Sequence, residues 1–327
     1  MLLHVELSAQ FLPQEYEQHI DDAHKTISTK VVQVASSIDK LLSGSYENNL
    51  SDENSNFIDA FFQSAKFTDE TDKSYVNIRL NKTLQSKATT TDDISVNARI
   101  ALKRTQKKFN LFMHSLENGK IFKSSVNDPT QTNTHIKQEI GIGYFDKLRH
   151  GVRSKYSLGT RGLNPFVRAR YNKVFQSTWW SIEPAQQFEY SIKDDFKEQT
   201  NLYFDRRLDE SSLFRTTLQR ETMSGLSGMN YSLSFSYYNT SSSTKGFSIS
   251  QSFIGNTNYT YTNDSNITST PYAGINNYVT SFNWRQSIWK KWIIYDINPA
   301  VSFHKQYNYK ANYILGMNLN LYFGNYF

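Results

Sequence analysis

The last strand of the chain constrains its fold more than any other segment. From Asn312 to Phe323, apolar side chains alternate with small or amide side chains. The apolar set is Tyr313, Leu315, Met317, Leu319, Leu321 and Phe323, and the other set is Asn312, Gly316, Asn318 and Asn320. Because successive side chains of a strand point to opposite faces, this alternation predicts a strand between lipid and a polar lumen. An amphipathic edge strand of a soluble sheet is the alternative.

The composition agrees with such strands. The 327 residues include 21 Tyr and 22 Phe, yet the mean hydropathy is −0.60. The rings are spread through polar sequence, as alternating strands and interfacial aromatic girdles require. No run of about 18 apolar residues occurs, so no transmembrane helix is predicted. Cysteine is absent, which excludes disulfides, thiolate metal sites and cysteine catalysis.

Charge is divided unevenly along the chain. Residues 1–73 carry 5 Lys and no Arg against 13 Asp and Glu, whereas residues 74–327 carry 31 basic and 17 acidic side chains. A break of this size predicts a domain boundary. We expect a signal-peptide remnant at 1–12, an acidic helical periplasmic segment at 13–73 and the barrel at 74–327. The basic surplus of the barrel favours anions as polar partners, and solvated or paired charge is the alternative.

A helix is predicted in the acidic segment, from residue 15 to residue 42. Its apolar residues repeat at intervals of seven, with two more in the same stripe. These residues are Ile20, Ile27, Val34 and Leu41, and the two others are Val31 and Ile38. Such a stripe can dock on its own chain, lie over the mouth of the barrel or bind a periplasmic protein partner.

Period-two patterns bounded by turn residues predict fourteen strands after residue 73. They are 74–85, 93–104, 107–117, 134–145, 151–160, 165–176, 179–191, 197–206, 211–222, 229–239, 245–255, 275–289, 292–304 and 310–323. The long connections 86–92, 118–133 and 256–274 follow odd-numbered strands, as external loops would if both termini are periplasmic. The sequence therefore predicts an all-β, up-and-down antiparallel transmembrane barrel of about fourteen strands, with twelve as the alternative. Its predicted location is the bacterial outer membrane.

The same alternation assigns charged side chains to the lumen, because Lys or Arg facing hydrocarbon at mid-depth costs about 2–4 kcal/mol. The lumen-lining candidates are Arg79, Arg99, Glu139, Arg153, Arg168, Arg170, Glu183, Glu189, Asp205, Arg215, Glu221, Arg285, Asp296 and His304. For each of them, structural pairing is the alternative to a role in solute binding. The five Trp residues fall towards strand ends, where amphipathic rings favour the membrane interface.

Two stretches carry a family resemblance. Tyr278–Phe303, followed by Leu321–Gly324, has an arginine-bearing strand, a Trp-basic-x-Trp turn and an acidic residue before Pro. Phe57–Leu80 leads from an acidic, aromatic helix end into the first strand. Together they resemble a family of uncharacterised proteobacterial outer-membrane β-barrel proteins. The resemblance implies this fold and compartment, and no reaction. Outer-membrane lipid and lipopolysaccharide are the expected partners of such a barrel.

The end of the chain resembles the signal that delivers outer-membrane barrels to their assembly machinery. The residues that would form this insertion signal are Phe323 and Phe327. Phe327 also continues the apolar phase of the last strand.

Catalytic patterns are weak. The seven histidines form no HxxxH or HxH pair, and no glycine-rich phosphate loop precedes a helix, so no catalytic residue, metal, cofactor or nucleic-acid partner is predicted. An enzyme acting on lipid or peptide would depend on His304 or His135 at the outer rim. The favoured function is a porin-like channel with a basic lumen for small polar or anionic solutes, gated by the amino-terminal helix. The main alternative is a non-conducting structural or assembly barrel whose helix binds a periplasmic partner.

Overall fold

The protein is described from a computed structural model. Its described residues are 14–43, 57–62, 73–102, 109–116, 137–146, 148–225, 228–259 and 272–325. Phe327 and His135 lie outside these ranges.

Extended segments form one continuous sheet. In chain order they are β1 (Tyr75–Gln85), β2 (Thr91–Leu102), β3 (Phe109–Leu116), β4 (Lys137–Phe145), β5 (Val152–Arg161), β6 (Asn164–Lys173), β7 (Phe175–Gln176), β8 (Trp180–Ser191), β9 (Asp195–Arg207), β10 (Ser212–Met223), β11 (Asn230–Ser242), β12 (Lys245–Tyr259), β13 (Tyr272–Ser287), β14 (Ile293–His304) and β15 (Ala311–Gly324).

The sheet closes on itself into an antiparallel barrel. Each strand pairs with its neighbours in sequence, and β1 also pairs with β15, from Tyr75 opposite Gly324 to Gln85 opposite Ile314. β6 and the two-residue β7 both pair with β8, so they form one strand of the barrel interrupted at Val174. The barrel therefore has fourteen strands, which confirms the prediction. The alternative of twelve is wrong.

Strand boundaries differ from the prediction where the register shifts. The predicted strands 245–255 and 275–289 correspond to β12, which continues to Tyr259, and to β13, which begins at Tyr272. Their pairing slips between Ile254 and Gly255 and again before Tyr259. Such bulges break the strict alternation from which strand ends are predicted. β12 therefore ends later, and β13 begins earlier, than the alternation of side chains indicates.

The two ends of the barrel differ. We call the end that contains Tyr75 and Gly324 the near mouth and the opposite end the far mouth. The antiparallel order places all three connections that were predicted to be long at the far mouth. At the near mouth β11 and β12 are joined through residues 243–244 alone. Which mouth faces the periplasm stays a prediction.

The faces of the wall follow the alternation seen in β15. Tyr313 is 67% exposed on the outer side, whereas Asn312 and Asn320 are 0% exposed on the inner side. Aromatic rings continue the outer face across neighbouring strands, as in the contact between Phe235 and Phe253. An apolar outer face around a polar inner face is the arrangement that a membrane requires.

All five Trp residues lie in the half of the molecule next to the near mouth. They are Trp179, Trp180, Trp284, Trp289 and Trp292. Trp179 and Trp180 are about half exposed at the start of β8. Their one-sided position marks the near mouth as one end of the apolar band.

Two helices precede the barrel, α1 (Gln14–Ser43) and α2 (Phe57–Phe62). α1 packs against β15, β1 and β2 at the near mouth. Ala35 and Asp39 on its inner side are nearly fully buried, whereas Ile27 and Val34 are about half exposed. Neither described helix is both long and apolar enough to cross a membrane.

Candidate functional site

The register places the predicted lumen-lining side chains on the inner phase of the wall. Arg99 lies opposite Tyr75, Glu139 opposite Arg161, and Arg285 opposite Asp296. Each pair shares the phase of the buried amides of β15. Many of these charges are grouped into two ion-pair clusters at the near mouth and one at the far mouth.

The first near-mouth cluster is centred on Arg215 of β10, which is 4% exposed. Its guanidinium donates to both oxygens of Asp205 on β9, at 2.6 and 2.8 Å. It also donates to both oxygens of Asp59 on α2, at 2.7 and 3.0 Å. Asp59 and Asp205 are each 4% exposed. Two bidentate carboxylates therefore satisfy one buried arginine, and one of them comes from outside the barrel wall.

α2 is fixed in this position by aromatic packing as well. Phe61 packs edge-on against Phe62, whose ring is 5.2 Å from that of Tyr238. A Cβ added at Gly246 of β12 would lie 2.9 Å from the Phe61 ring, so this glycine makes room for it. Ile58 is 2% exposed. The sequence FIDAFF thus places its single carboxylate in the lumen among buried apolar side chains.

The second near-mouth cluster joins β13, β14, β15 and β1. Arg285 donates to both oxygens of Asp296, at 3.0 and 3.1 Å, and to the hydroxyl of Tyr322 at 2.9 Å. Asn320 donates to Asp296 at 2.8 Å and accepts from Arg79 at 3.0 Å. This chain of hydrogen bonds crosses the β1–β15 closure. It stabilises the seam where the two ends of the sheet meet.

The far-mouth cluster connects β4, β5, β6 and β8. Arg168 donates to both oxygens of Glu139, each at 2.9 Å, and to Glu189 at 2.8 Å. Arg161 donates to Glu189 at 2.8 Å and to Glu139 at 3.3 Å. Both carboxylates are 1% exposed, and the ring of Phe166 lies against both guanidinium groups. The two arginines and the two glutamates balance in charge, so these four side chains stabilise the wall and present no net charge to the lumen.

Asp194, in the turn between β8 and β9, extends the far-mouth cluster. Arg161 and Asn164 donate to its Oδ2 at 3.2 and 2.9 Å, and Lys197 lies 3.5 Å away. Partial burial acts to raise the pKa of Asp194, but Lys197, Arg161 and the Ser191 hydroxyl outweigh it and hold the pKa below its ordinary value. The turn therefore carries a stable negative charge next to two buried cations, Arg161 and Lys197, and the amide of Asn164.

The remaining predicted residues lie on the wall outside the contacts just described. Glu183, 1% exposed, accepts from Asn172 at 2.8 Å. His304 ends β14 at the far mouth, where its Nδ1 accepts from the backbone N–H of Gln306. His304 makes further contacts besides this hydrogen bond. The others are Arg99, Arg153, Arg170 and Glu221.

Four charged residues of these clusters were not singled out from the sequence. They are Asp59, Arg161, Asp194 and Lys197. A carboxylate enclosed by apolar residues, as in FIDAFF, was the available signal for Asp59. Arg161 and Lys197 lie at strand ends, where the alternation is less clear. Within the described ranges no group of three or more His, Asp or Glu side chains is arranged to hold a metal ion, and the absence of cofactors stays a prediction.

The chain matches no protein-family model and no curated protein sequence. OmpT of Vibrio cholerae, expressed in the outer membrane, is 8% identical, with 78% of this chain and 99% of that chain covered and a TM-score of 0.46. OprB of Pseudomonas putida, at low pH, is 8% identical, with 79% and 94% covered and a TM-score of 0.43.

A third similar structure is the KdgM porin in complex with disordered oligogalacturonate. It is 9% identical, with 75% of this chain and 98% of that chain covered and a TM-score of 0.34. All three TM-scores are below 0.5. The fold is therefore assigned from the strand register of the chain itself. The resemblance to a proteobacterial family stays a prediction.

Proposed function

We propose that the protein is an outer-membrane channel of the porin type for small polar solutes, with a preference for anions. The observation that carries this proposal is the polar character of the inner wall. Serine side chains of β11 and β12 face inward and bond across the two strands, as Ser234 does with Ser252 at 3.1 Å. A wall of hydroxyl, amide and charged groups suits water and polar solutes, whereas the outer face suits lipid.

The preference for anions rests on the balance of inner-wall charge. The basic side chains on the inner phase are Arg79, Arg99, Arg153, Lys155, Arg161, Arg168, Arg170, Lys197, Arg215 and Arg285. The acidic ones are Asp93, Glu139, Glu183, Glu189, Asp195, Asp205, Glu221 and Asp296, and α2 adds Asp59. Many of them are paired, but these ten basic side chains still exceed the nine acidic ones, and a low-dielectric wall concentrates ions of the opposite sign.

The near mouth is proposed to face the periplasm. The one-sided Trp girdle and both helices lie at this mouth, and the two longest connections, residues 117–136 and 260–271, join strands at the other. The far mouth also has the short turns 162–163 and 192–194. Outer-membrane barrels have short periplasmic turns and longer external loops. In this orientation the start of β1 and the end of β15 are periplasmic, and α2 obstructs the lumen from the periplasmic side. Lipopolysaccharide would then contact the far-mouth end of the outer face.

Conductance in planar bilayers tests the proposal. The purified full chain is inserted into the bilayer, and the reversal potential is measured in a potassium chloride gradient. We expect single-channel steps with chloride preferred over potassium. A control variant, Lys291→Gln, changes an exposed charge at the same rim and should leave selectivity unchanged. Preference for potassium would contradict an anion channel.

One observation favours a second candidate, a structural barrel that binds a periplasmic partner through α1. Ile27 is 46% exposed and Val34 is 51% exposed, so part of the apolar stripe of α1 faces away from the barrel. A barrel that never conducts, together with a periplasmic protein that co-purifies only while Ile27 and Val34 are intact, would support this candidate. Replacing both by Ser should then abolish co-purification.

A further inference from the structure

The contact between α2 and the wall has the chemistry of a ligand site that is already occupied. Arg215 presents two parallel N–H donors to Asp59, the fork geometry by which arginine recognises a carboxylate. Unlike Asp205, which is on the neighbouring strand of the wall, Asp59 reaches the arginine from a six-residue helix. Arg215 therefore belongs to the barrel wall, whereas the carboxylate that occupies it comes from α2, outside the wall.

The surroundings of Arg215 complete a built site. The rings of Tyr203 and Tyr238 lie 5.7 and 5.8 Å from the guanidinium carbon. Phe61 of α2 covers a second arginine, Arg285, at 6.0 Å. If α2 moved away, the wall would present Arg215, with aromatic rings beside it, to the lumen, and would also uncover Arg285, which Phe61 had covered. Such a site binds planar anions by paired hydrogen bonds and aromatic contact.

We propose that Arg215 is a binding site for the carboxylate group of a small organic acid, and that Asp59 is its internal occupant. An organic carboxylate that enters the lumen competes with Asp59 and releases α2 from the wall. This inference rests on the proposed function, since it names the class of solute and the regulation of the same lumen. Carboxylate is favoured over phosphate because Asp59 itself shows that the planar group fits.

Competition of this kind is physically reasonable. Because Asp59 belongs to the same chain, its effective concentration at Arg215 is high, and a free carboxylate must reach the millimolar range or above to replace it. The exchange conserves charge, since one carboxylate leaves the arginine as another arrives. Arg215 is therefore never left as an unpaired buried cation, the state that is most costly.

The absence of cysteine makes the position of α2 measurable. A single cysteine is introduced as Ile58→Cys, at a residue that is 2% exposed. The full-length barrel is held in detergent, and the rate of modification by a hydrophilic maleimide is recorded. Potassium acetate or glutarate is compared with potassium chloride at the same ionic strength. Acetamide serves as the uncharged control for acetate.

We expect slow modification in chloride and acetamide, and a rate at least about tenfold higher in acetate or glutarate. Asp59→Asn should raise the rate on the order of tenfold without any added carboxylate, and acetate should then have no further effect. Asp205→Asn is the matched control, because Arg215 keeps Asp59 and the rate should stay low. Asp59→Glu, which keeps the carboxylate, covers the case in which Asp59→Asn does not fold, and it should remain responsive to acetate.

Equal rates in acetate and chloride would overturn the inference, as would an equal effect of acetamide or equal behaviour of the Asp59 and Asp205 variants. Conductance separates this outcome from failure of the channel itself. Acetate-dependent modification without conductance would support the carboxylate site and contradict the channel function. Conductance with no response of residue 58 to acetate would support the channel function and contradict the carboxylate site.

Discussion

His24 of α1 donates a hydrogen bond from its Nε2 to the backbone carbonyl of Tyr322 at 2.8 Å. The same ring stacks on Trp292, with centroids 4.1 Å apart and an interplanar angle of 8°. One side chain thus fixes α1 to the end of β15 and to Trp292, the residue before β14. Because β15 also closes the barrel against β1, the helix is attached to the seam of the sheet.

Replacing His24 by Ala should loosen α1 from the rim. The lost hydrogen bond and ring stacking together amount to about 1–3 kcal/mol. We expect trypsin to cleave after Lys25 and Lys30 about tenfold faster or more, since local opening controls access of the protease. The barrel strands should stay uncut. The measurement is the rate of loss of the intact chain on a gel.

His19→Ala is the matched control, because His19 lies on the exposed side of the same helix. Its cleavage rate should equal that of the unmodified chain. If both histidine variants were cleaved at the same raised rate, helix propensity and not the rim contact would explain the effect of His24.

Glu139→Gln should destabilise the barrel more than any exposed acidic replacement. The change removes the charged partner that Arg161 and Arg168 share inside the wall. We expect a loss of about 3 kcal/mol, at the lower end for a broken buried ion pair, because both arginines keep Glu189. Urea unfolding in lipid vesicles, followed by Trp fluorescence, measures the difference. Glu210→Gln, in an exposed near-mouth turn, should leave the midpoint unchanged.

The barrel could be predicted from sequence because alternation is a local signal. In β15, Tyr313 and its apolar companions were assigned outward and Asn312 and Asn320 inward, and the exposures agree. Strand number followed from counting such runs. The alternation also gave the phase of Arg215 and Arg285, since each lies within a regular strand. It could not give their partners, which depend on how fourteen strands close and twist together.

The position of α2 could not be predicted for the same reason. Asp59 and Arg215 are 156 residues apart, and no periodic pattern connects them. In α1 the difficulty was different. Val31 and Ile27 belong to one apolar stripe in sequence, but the rim covers only part of that stripe. Val31 therefore lies against Gly324 of β15, while Ile27 remains exposed.

Gly141→Ala should prevent or delay barrel assembly, whereas Gly316→Ala should be tolerated. A Cβ at Gly141 would lie 2.5 Å from the Leu158 carbonyl oxygen and 2.7 Å from the Phe112 ring. The nearest atom to a Cβ at Gly316 is at 3.4 Å, an ordinary contact. Overpacking of this kind costs about 1–3 kcal/mol. Heat-dependent mobility of the folded barrel on gels compares the two variants, and equal loss of the folded form in both would contradict this reading of the inner wall.

Acid should weaken the far mouth through Asp194. Its pKa lies below the ordinary value of about 3.9, because the cations around it outweigh the effect of burial. A carboxyl group whose pKa is lower in the folded state stabilises that state above its unfolded pKa, and this contribution is lost as the pH falls through the folded pKa. Unfolding midpoints of the unmodified chain and of Asp194→Asn should therefore differ at pH 7 and approach each other as the pH falls below about 4.

Asp209 provides the comparison for this pH dependence. Hydrogen bonds from the hydroxyl and backbone N–H of Ser211 lower the pKa of Asp209, but it is fully exposed in a near-mouth turn. Solvent screening makes exposed carboxylates contribute little to stability. Asp209→Asn should therefore follow the unmodified chain at every pH. A difference between Asp194→Asn and the unmodified chain that did not shrink as the pH fell below about 4 would show that Asp194 acts through its shape and hydrogen bonds and not through its charge.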